Sequence, residues 1–257
     1  MEILPLDIFL IIVDLLADGD NENIKSLRIL SQTCKSMVPL CRKHLFSSLR
    51  LRGELNSERF SDLLSKNPDI ARYVRNLNYR IYLLHISGHD LNILNMLKEC
   101  SSLQSIELSS SGKWNSWNTL TESVRSSLVS LIQLPTVTFL HIHTFDGFPA
   151  TALSGCGNLI DLKLGEINLA PPEVNQVISR SKIPAPVSLY IDTDTYGLAA
   201  LLKSASLDAG NPIIDFSRLQ KAEFEVQSRD DLDQANEVIK VTTRLEYLCI
   251  DTYTYGE

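Results

Sequence analysis

Two histidines, His141 and His143, are the first residues whose type and spacing suggest chemistry. Residues two apart on a β-strand lie on the same face, so both imidazoles could chelate one metal ion. Other ligand types are scarce nearby, and histidines that alternate with core residues are usually only solvated. We therefore predict no metal site and no cofactor.

A pair of carboxylates, Asp192 and Asp194, could support acid–base catalysis. Their local sequence, DTDT, is equally typical of a turn. The sequence contains none of the GxSxG, P-loop, HExxH or GxGxxG motifs of hydrolases, nucleotide-binding proteins, zinc proteases and dinucleotide-binding proteins. We therefore predict no catalytic residue and no enzymatic activity.

The 257-residue chain carries a net charge of −7, which disfavours binding to nucleic-acid phosphates and to anionic lipid surfaces. Its longest apolar run near the start, IFLIIVDLLA, is too short to cross a bilayer and contains Asp14. Glu2 and Asp7 stand where a signal peptide would carry positive charge. Five cysteines without CxxC spacing suit a reducing compartment. We expect a cytoplasmic or nuclear protein with no nucleic-acid or membrane partner.

The elements that must position these side chains repeat along the chain. From about residue 70 the pattern L-x-x-L-x-L, with other apolar residues allowed, recurs seven times at intervals of 22 to 34 residues. Alternation is typical of a strand with one buried face, and intervals of roughly 20 to 29 residues are typical of leucine-rich repeats. The second apolar positions, which we call the anchors, are Leu77, Ile106, Leu140, Leu162, Leu189, Ala222 and Leu248.

Helical apolar stripes such as Leu91, Leu94 and Leu97 lie between these strands. A unit of one strand and one helix cannot bury its faces alone, so the units must stack. We predict an α/β fold in which residues 53–257 form a leucine-rich-repeat-like solenoid of about seven units with a parallel concave sheet. Because the sequence ends at TYTYGE directly after the last strand, we expect the solenoid to be truncated at its C-terminus.

Residues 1–52 have a different, wholly helical pattern. Apolar residues run to Leu16, the polar run DGDNEN breaks the helix, and spacing of three and four residues resumes from Ile24. A third short helix is predicted over 40–49. A segment of about 50 residues has little core of its own, so it needs a partner surface. The alternative is a helical cap that shields the first repeat.

Two stretches of this N-terminal segment, LPLDIFLIIVDLL and IKSLRILSQTCKSM, resemble the F-box. The phrase NPDIARYVRNL at 67–77 joins them to the repeats, and the arrangement resembles fungal F-box proteins with irregular leucine-rich repeats. Family members commonly carry an aromatic residue where Cys34 stands. The smaller side chain would bury less apolar area in a contact.

The resemblance implies the substrate-recognition subunit of an SCF-type cullin ubiquitin ligase. In such a complex the F-box docks onto a Skp-family adaptor on the cullin scaffold, and the repeats hold the protein to be ubiquitinated. The adaptor-binding residues that the resemblance implies are Leu4, Pro5, Ile8, Ile12, Leu16, Leu27, Leu30 and Cys34. The alternative is a leucine-rich-repeat scaffold that binds proteins without any ligase.

The residues flanking the anchors point away from the core and form the outward face of the predicted sheet. On its last three strands this face is acidic with two tyrosines, which suits a basic segment of a partner, unless the charges serve only solubility. The candidate substrate-binding residues are Tyr190, Asp192, Glu223, Glu225, Tyr247 and Asp251. Trp114 and Trp117 lie in a polar stretch that either folds back onto the core or forms an exposed recognition loop.

Overall fold

A computed structural model of the protein describes residues 6–17, 21–33, 35–82, 87–112, 115–171, 183–192, 195–196, 198, 201 and 212–252. Within these ranges the protein is an α/β fold with a mostly parallel sheet. The described helices have at most 13 residues, and none of them has the length and apolarity to cross a membrane.

Three helices open the described chain: α1 (Leu6–Ala17), α2 (Asn21–Thr33) and α3 (Met37–Leu45). Each turns an apolar side toward the other two, because spacing of three and four residues puts those side chains on one face. Their shared core consists of Val13, Leu27, Met37 and Cys41. This small core is separate from the larger core of the sheet and its helices.

The main sheet contains eight described strands in chain order. They are β1 (Ser48–Arg52), β2 (Asn76–Ile81), β3 (Ser105–Ser110), β5 (Phe139–His143), β8 (Asp161–Gly165), β10 (Ser188–Ile191), β11 (Lys221–Val226) and β12 (Tyr247–Thr252). Two further pairs of short strands are β4 (Asn115–Ser116) with β6 (Phe145–Asp146) and β7 (Phe148–Pro149) with β9 (Leu169–Ala170). All pairings among the described strands are parallel.

Helices connect several consecutive strands of the sheet: α4 (Glu54–Lys66), α5 (Gly88–Cys100), α6 (Glu122–Ile132) and α7 (Arg229–Val241). Short 3-10 helices cover Pro68–Tyr73, Trp117–Thr119, Ala150–Gly155 and Phe216–Arg218. Ser87 caps the N-terminus of α5 with a capping box. The Ser87 hydroxyl accepts a hydrogen bond from the backbone N–H of Asp90, and the Asp90 carboxylate accepts one from the backbone N–H of Ser87. Ser228 and Asp231 begin α7 in the same way.

The seven anchors lie in register across the sheet, as the sequence pattern predicts. Six of them are buried, but Leu248, on the same side of the sheet, is 44% exposed, so the prediction that it is buried in the core is wrong. Within the described residues β12 pairs with β11 on one side only. The apolar side of this edge strand therefore stays open to solvent.

The sheet begins one strand earlier than predicted. The helix predicted over 40–49 ends at Leu45, and β1 follows it. Leu49 of β1 pairs with the anchor Leu77, and both Leu49 and Leu51 are buried. The sequence FSSLRL at 46–51 has the same pattern as the other units, so β1 adds an eighth copy of that pattern.

The described end of the polar stretch at 109–118 packs onto the core. Trp117 is buried and packs edge-on against Phe145 and Phe148, with ring centroids 5.8 and 4.8 Å away. Trp117 therefore belongs to the core and not to an exposed recognition loop. Trp114 lies outside the described residues.

Candidate functional site

Four of the predicted adaptor-binding residues have side chains at or near the surface of the three N-terminal helices. Ile8 and Ile12 are exposed on α1. Leu16 and Leu30 are partly buried, because both pack against the small core of the three helices. The two isoleucines are therefore the better contacts for a partner.

Leu27 is completely buried in the small core, so its prediction as a surface contact is wrong. Its spacing fits the apolar stripe of α2, but that stripe faces α1 and α3, which cover it. The remaining predicted contacts, Leu4, Pro5 and Cys34, lie outside the described residues.

Three exposed apolar residues on these helices were not predicted as contacts. Ile11 is 59% exposed, Leu15 is 68% exposed and Ile29 is 66% exposed. Ile8, Ile11 and Leu15 follow the three- and four-residue spacing of one helix face. The sequence carried a signal for Ile11 and Leu15, because α1 is apolar on nearly all sides, whereas a helix that packs on one side only has a polar opposite face.

Asp14 is the acidic residue within the apolar surface of α1. Its carboxylate accepts a hydrogen bond from Lys43 Nζ at 2.9 Å and lies 2.9 Å from Nε2 of His44, both on α3. The hydrogen bond from Lys43 is the main cause that lowers the pKa of the Asp14 carboxyl. The Asp14 carboxylate thus links α1 to α3 through its contacts with Lys43 and His44.

The outward face of the last three strands carries the predicted substrate-binding residues: Tyr190, Asp192, Glu223, Glu225, Tyr247 and Asp251. The first four are half-buried and the last two are exposed. The register sets Tyr190 opposite Glu223 and Glu225 opposite Asp251, so the group is contiguous across the strands. Asp194, which we considered with Asp192 as a catalytic pair, lies outside the described residues.

The acidic side chains of this group interact closely. The Tyr190 hydroxyl donates a hydrogen bond to the Glu225 carboxylate. Burial raises the pKa of Glu225, and the nearby Asp192 and Asp251 raise it further against the effect of that hydrogen bond. Positive charge placed beside this group would relieve the repulsion among the carboxylates.

Lys221 already supplies one positive charge at the border of the acidic face. Its Nζ lies 2.8 Å from a Glu223 carboxylate oxygen and 5.4 Å from the centroid of the Tyr247 ring. The hydrogen bond with Glu223 raises the pKa of the Lys221 ammonium. The side chain illustrates how a lysine of a partner could bind here, between a carboxylate and an aromatic ring.

Nearer the middle of the sheet, the outward face carries a third group: Glu107, His141 and His143. The register of β3 and β5 sets Glu107 opposite His141. The potential ligand atoms of the three residues all lie within 4.8 Å of one another. Nε2 of His143 is 3.6 Å from Oε1 of Glu107, and the two imidazole rings stack with centroids 4.8 Å apart. The premise that other ligand types are scarce near these histidines is therefore wrong.

The repeat pattern contained the signal for Glu107. Glu107 and His141 each follow an anchor directly, Ile106 in one unit and Leu140 in the other.

Burial, followed by the neighbouring His143, lowers the pKa of His141 to about 4. The His141 imidazole is therefore neutral at pH 7, and the lone pair of one ring nitrogen is available to a metal ion or a hydrogen-bond donor.

Comparison with known proteins returns no match: no protein-family model matches the chain, and no curated protein matches it.

Proposed function

We propose that this chain is the substrate-recognition subunit of an SCF-type cullin ubiquitin ligase. Helices α1 to α3 would dock onto a Skp-family adaptor, which joins them to the cullin scaffold. The outward face of the sheet would hold the protein to be ubiquitinated. The resemblance of residues 1–52 to the F-box suggests the partner, and the surface of the helices supports a docking role.

The observation that carries the proposal is the exposed apolar face of α1. Ile8, Ile11 and Leu15 lie along one side of a helix whose opposite side is already packed in the small core. Contiguous apolar surface on a folded domain typically marks a protein–protein interface. A helical cap that only shielded the first unit would not need this second apolar face.

The separation of the two hydrophobic cores also supports the proposal. The small core joins α1, α2 and α3 to one another, while the larger core lies within the sheet and its helices. Two cores suit two roles, with one part of the chain for the adaptor and another for the substrate. We propose that the repeated units form a leucine-rich-repeat-like solenoid whose outward sheet face is its binding surface.

Such a protein needs no catalytic residue. Holding a substrate lysine near a charged ubiquitin-conjugating enzyme raises the effective concentration of the two reactants, and the enzyme then performs the chemistry. The requirement on this chain is two binding surfaces at a fixed distance. The polar outward face of the sheet and the apolar face of α1 would provide these two surfaces.

The charges of the outward face favour a basic substrate segment at one end. Strands β1 and β2 carry the exposed arginines Arg50, Arg52 and Arg80, whereas β10 to β12 carry the acidic group described above. Opposite charges at the two ends of one face would orient an approaching peptide. A lysine- or arginine-rich segment would therefore lie across β10 to β12.

The adaptor proposal is tested by co-expressing the full chain with a fungal Skp-family adaptor and measuring co-purification. The double substitution Ile11→Glu with Leu15→Glu should lower adaptor affinity at least tenfold, since it sets charge in the apolar face. Leu55→Glu is the matched control, because Leu55 on α4 is also 68% exposed but lies outside the three helices.

Three results would overturn the adaptor proposal. The first is a wild-type chain that does not co-purify with the adaptor, which would favour a ligase-independent scaffold. The second is undiminished adaptor binding by the double variant while circular dichroism confirms its fold. The third is an equal loss of adaptor binding from the double variant and from Leu55→Glu, which would contradict a specific docking face.

The substrate proposal is tested with a labelled octalysine peptide, and an octaglutamate peptide serves as the control. Charge reversal at Glu223, Glu225 and Asp251 to lysine should weaken octalysine binding at least tenfold and leave adaptor binding unchanged. Added salt should weaken the wild-type interaction in the same direction.

A second triple variant controls for net charge. Asp230, Asp233 and Glu237 are exposed on α7, and their reversal to lysine changes the net charge of the chain equally. If this variant loses octalysine binding as strongly as the first, the peptide responds to overall charge, and the acidic face is not the site.

A further inference from the structure

We propose that Glu107, His141 and His143 form a binding site for a divalent transition metal ion such as Zn²⁺ on the outward face of the sheet. The observation is that two imidazoles and one carboxylate hold their ligand atoms within 4.8 Å of one another. This proposal does not depend on adaptor docking or on the acidic face.

The backbone fixes the three residues next to one another. His141 and His143 are two residues apart on β5, so their side chains leave the same face of the sheet. Glu107 stands opposite His141 on the adjacent parallel strand β3. Because both strands lie inside the sheet and their anchors are fully buried, this juxtaposition is rigid at the level of the backbone.

The side chains need only a small adjustment to coordinate an ion. Ligand atoms around a tetrahedral zinc ion, at zinc–ligand distances of about 2.1 Å, stand roughly 3.4 Å from one another. Glu107 Oε1 and His143 Nε2 are already 3.6 Å apart. All three side chains are half-buried, so each keeps freedom to rotate toward a shared ion.

The donor set selects the class of ion. Imidazole nitrogen favours zinc, copper, nickel and iron, whereas magnesium and calcium favour sites made of oxygen alone. Three protein ligands also leave one position of a tetrahedron open to water or to a group of a bound partner. A metal here could therefore contribute a contact to whatever the sheet face binds.

Lys163 provides an internal test of the site. It lies opposite His141 on β8, where its positive charge opposes cation binding. Its ammonium is held over the rings of Phe139 and Tyr190, at 5.7 and 5.5 Å from their centroids. Removing this charge should strengthen metal binding at the proposed site and should not affect a site elsewhere.

The experiment uses the full chain, stripped with EDTA and titrated with ZnCl₂ by isothermal titration calorimetry. We expect one Zn²⁺ ion per chain. When Co²⁺ is added in place of Zn²⁺, we expect the visible absorption spectrum of a Co²⁺ ion with nitrogen ligands. Glu107→Gln and His143→Ala should each weaken Zn²⁺ binding at least tenfold, and Lys163→Ala should tighten it. His89→Ala, which removes a half-buried histidine of α5, is the matched control and should bind as the wild type does.

Absence of saturable binding at one ion per chain would overturn the proposal. So would binding that survives both Glu107→Gln and His143→Ala, which would assign the ion to other residues such as the cysteines. Glu107→Gln preserves the shape of a half-buried side chain, so it tests the site without disturbing the fold. Circular dichroism of each variant checks this.

Discussion

Leu162 and Leu248 occupy equivalent positions of the repeated pattern, yet their replacement by alanine should have different costs. Leu162 is fully buried on β8, with β5 and β10 on either side. Leu248 is 44% exposed on β12. Substituting each residue in turn therefore separates what the repeat pattern implies from what burial determines.

The magnitude follows from the buried area. Leu→Ala removes three carbon atoms, each contributing about 0.8 kcal/mol when fully buried, so transfer alone costs Leu162→Ala about 2.4 kcal/mol. The remaining cavity raises the total to roughly 3–4 kcal/mol in the free energy of unfolding. For Leu248→Ala we expect a loss of about 1 kcal/mol in the free energy of unfolding, because little more than half of the side chain is buried and no closed cavity forms.

The assay is urea unfolding followed by far-ultraviolet circular dichroism, with the slope against urea compared among variants. Ile160→Ala is a control just before β8, where the side chain is 46% exposed, and should cost about 1 kcal/mol or less. A loss below about 1 kcal/mol for Leu162→Ala would refute the strand register. Equal losses for Leu162→Ala and Leu248→Ala would refute the open edge at β12.

Two further predictions concern Trp117 and His141. Trp117→Ala should lower the free energy of unfolding by about 3–5 kcal/mol, because it leaves a cavity beside Phe145 and Phe148. A loss below about 1 kcal/mol in urea unfolding would contradict this packing. Burial holds the pKa of His141 at about 4, below the value of about 6.5 in the unfolded chain. The contribution of His141 to stability is therefore complete above pH 6.5 and is lost as pH falls toward 4. In EDTA, His141→Gln should therefore lose less stability than wild type between pH 7 and pH 5, and an unchanged pH dependence would contradict the assignment.

The sequence by itself predicted which residues lie on which side of each strand. Leu140 and Leu162 are buried while His141 and Lys163 face outward, as the alternation requires. This inference succeeds because the period of two residues along a strand is a local property of the backbone. The spacing of three and four residues likewise predicted three helices in the N-terminal segment, but their bounds differ: α2 begins at Asn21, inside the predicted break, and α3 covers Met37–Leu45 and not 40–49.

Tertiary structure alone decided which of two apolar faces is covered. Leu27 and Leu15 are both leucines on apolar helix faces, but Leu27 is in the small core and Leu15 is 68% exposed. Helical periodicity marks a stripe without saying what packs against it. For the same reason Leu248 matched its pattern and still lies open, since burial depends on a neighbouring element and not on the strand itself.

The group of Glu107, His141 and His143 also required the tertiary structure. The two histidines are neighbours along the chain, but Glu107 belongs to another strand and reaches them only through the register of β3 with β5. The repeat pattern puts Glu107 and His141 each directly after an anchor, but only the pairing of β3 with β5 brings segments more than 30 residues apart into contact. The sequence determined the faces of the strands, and the packing of the units determined which side chains share them.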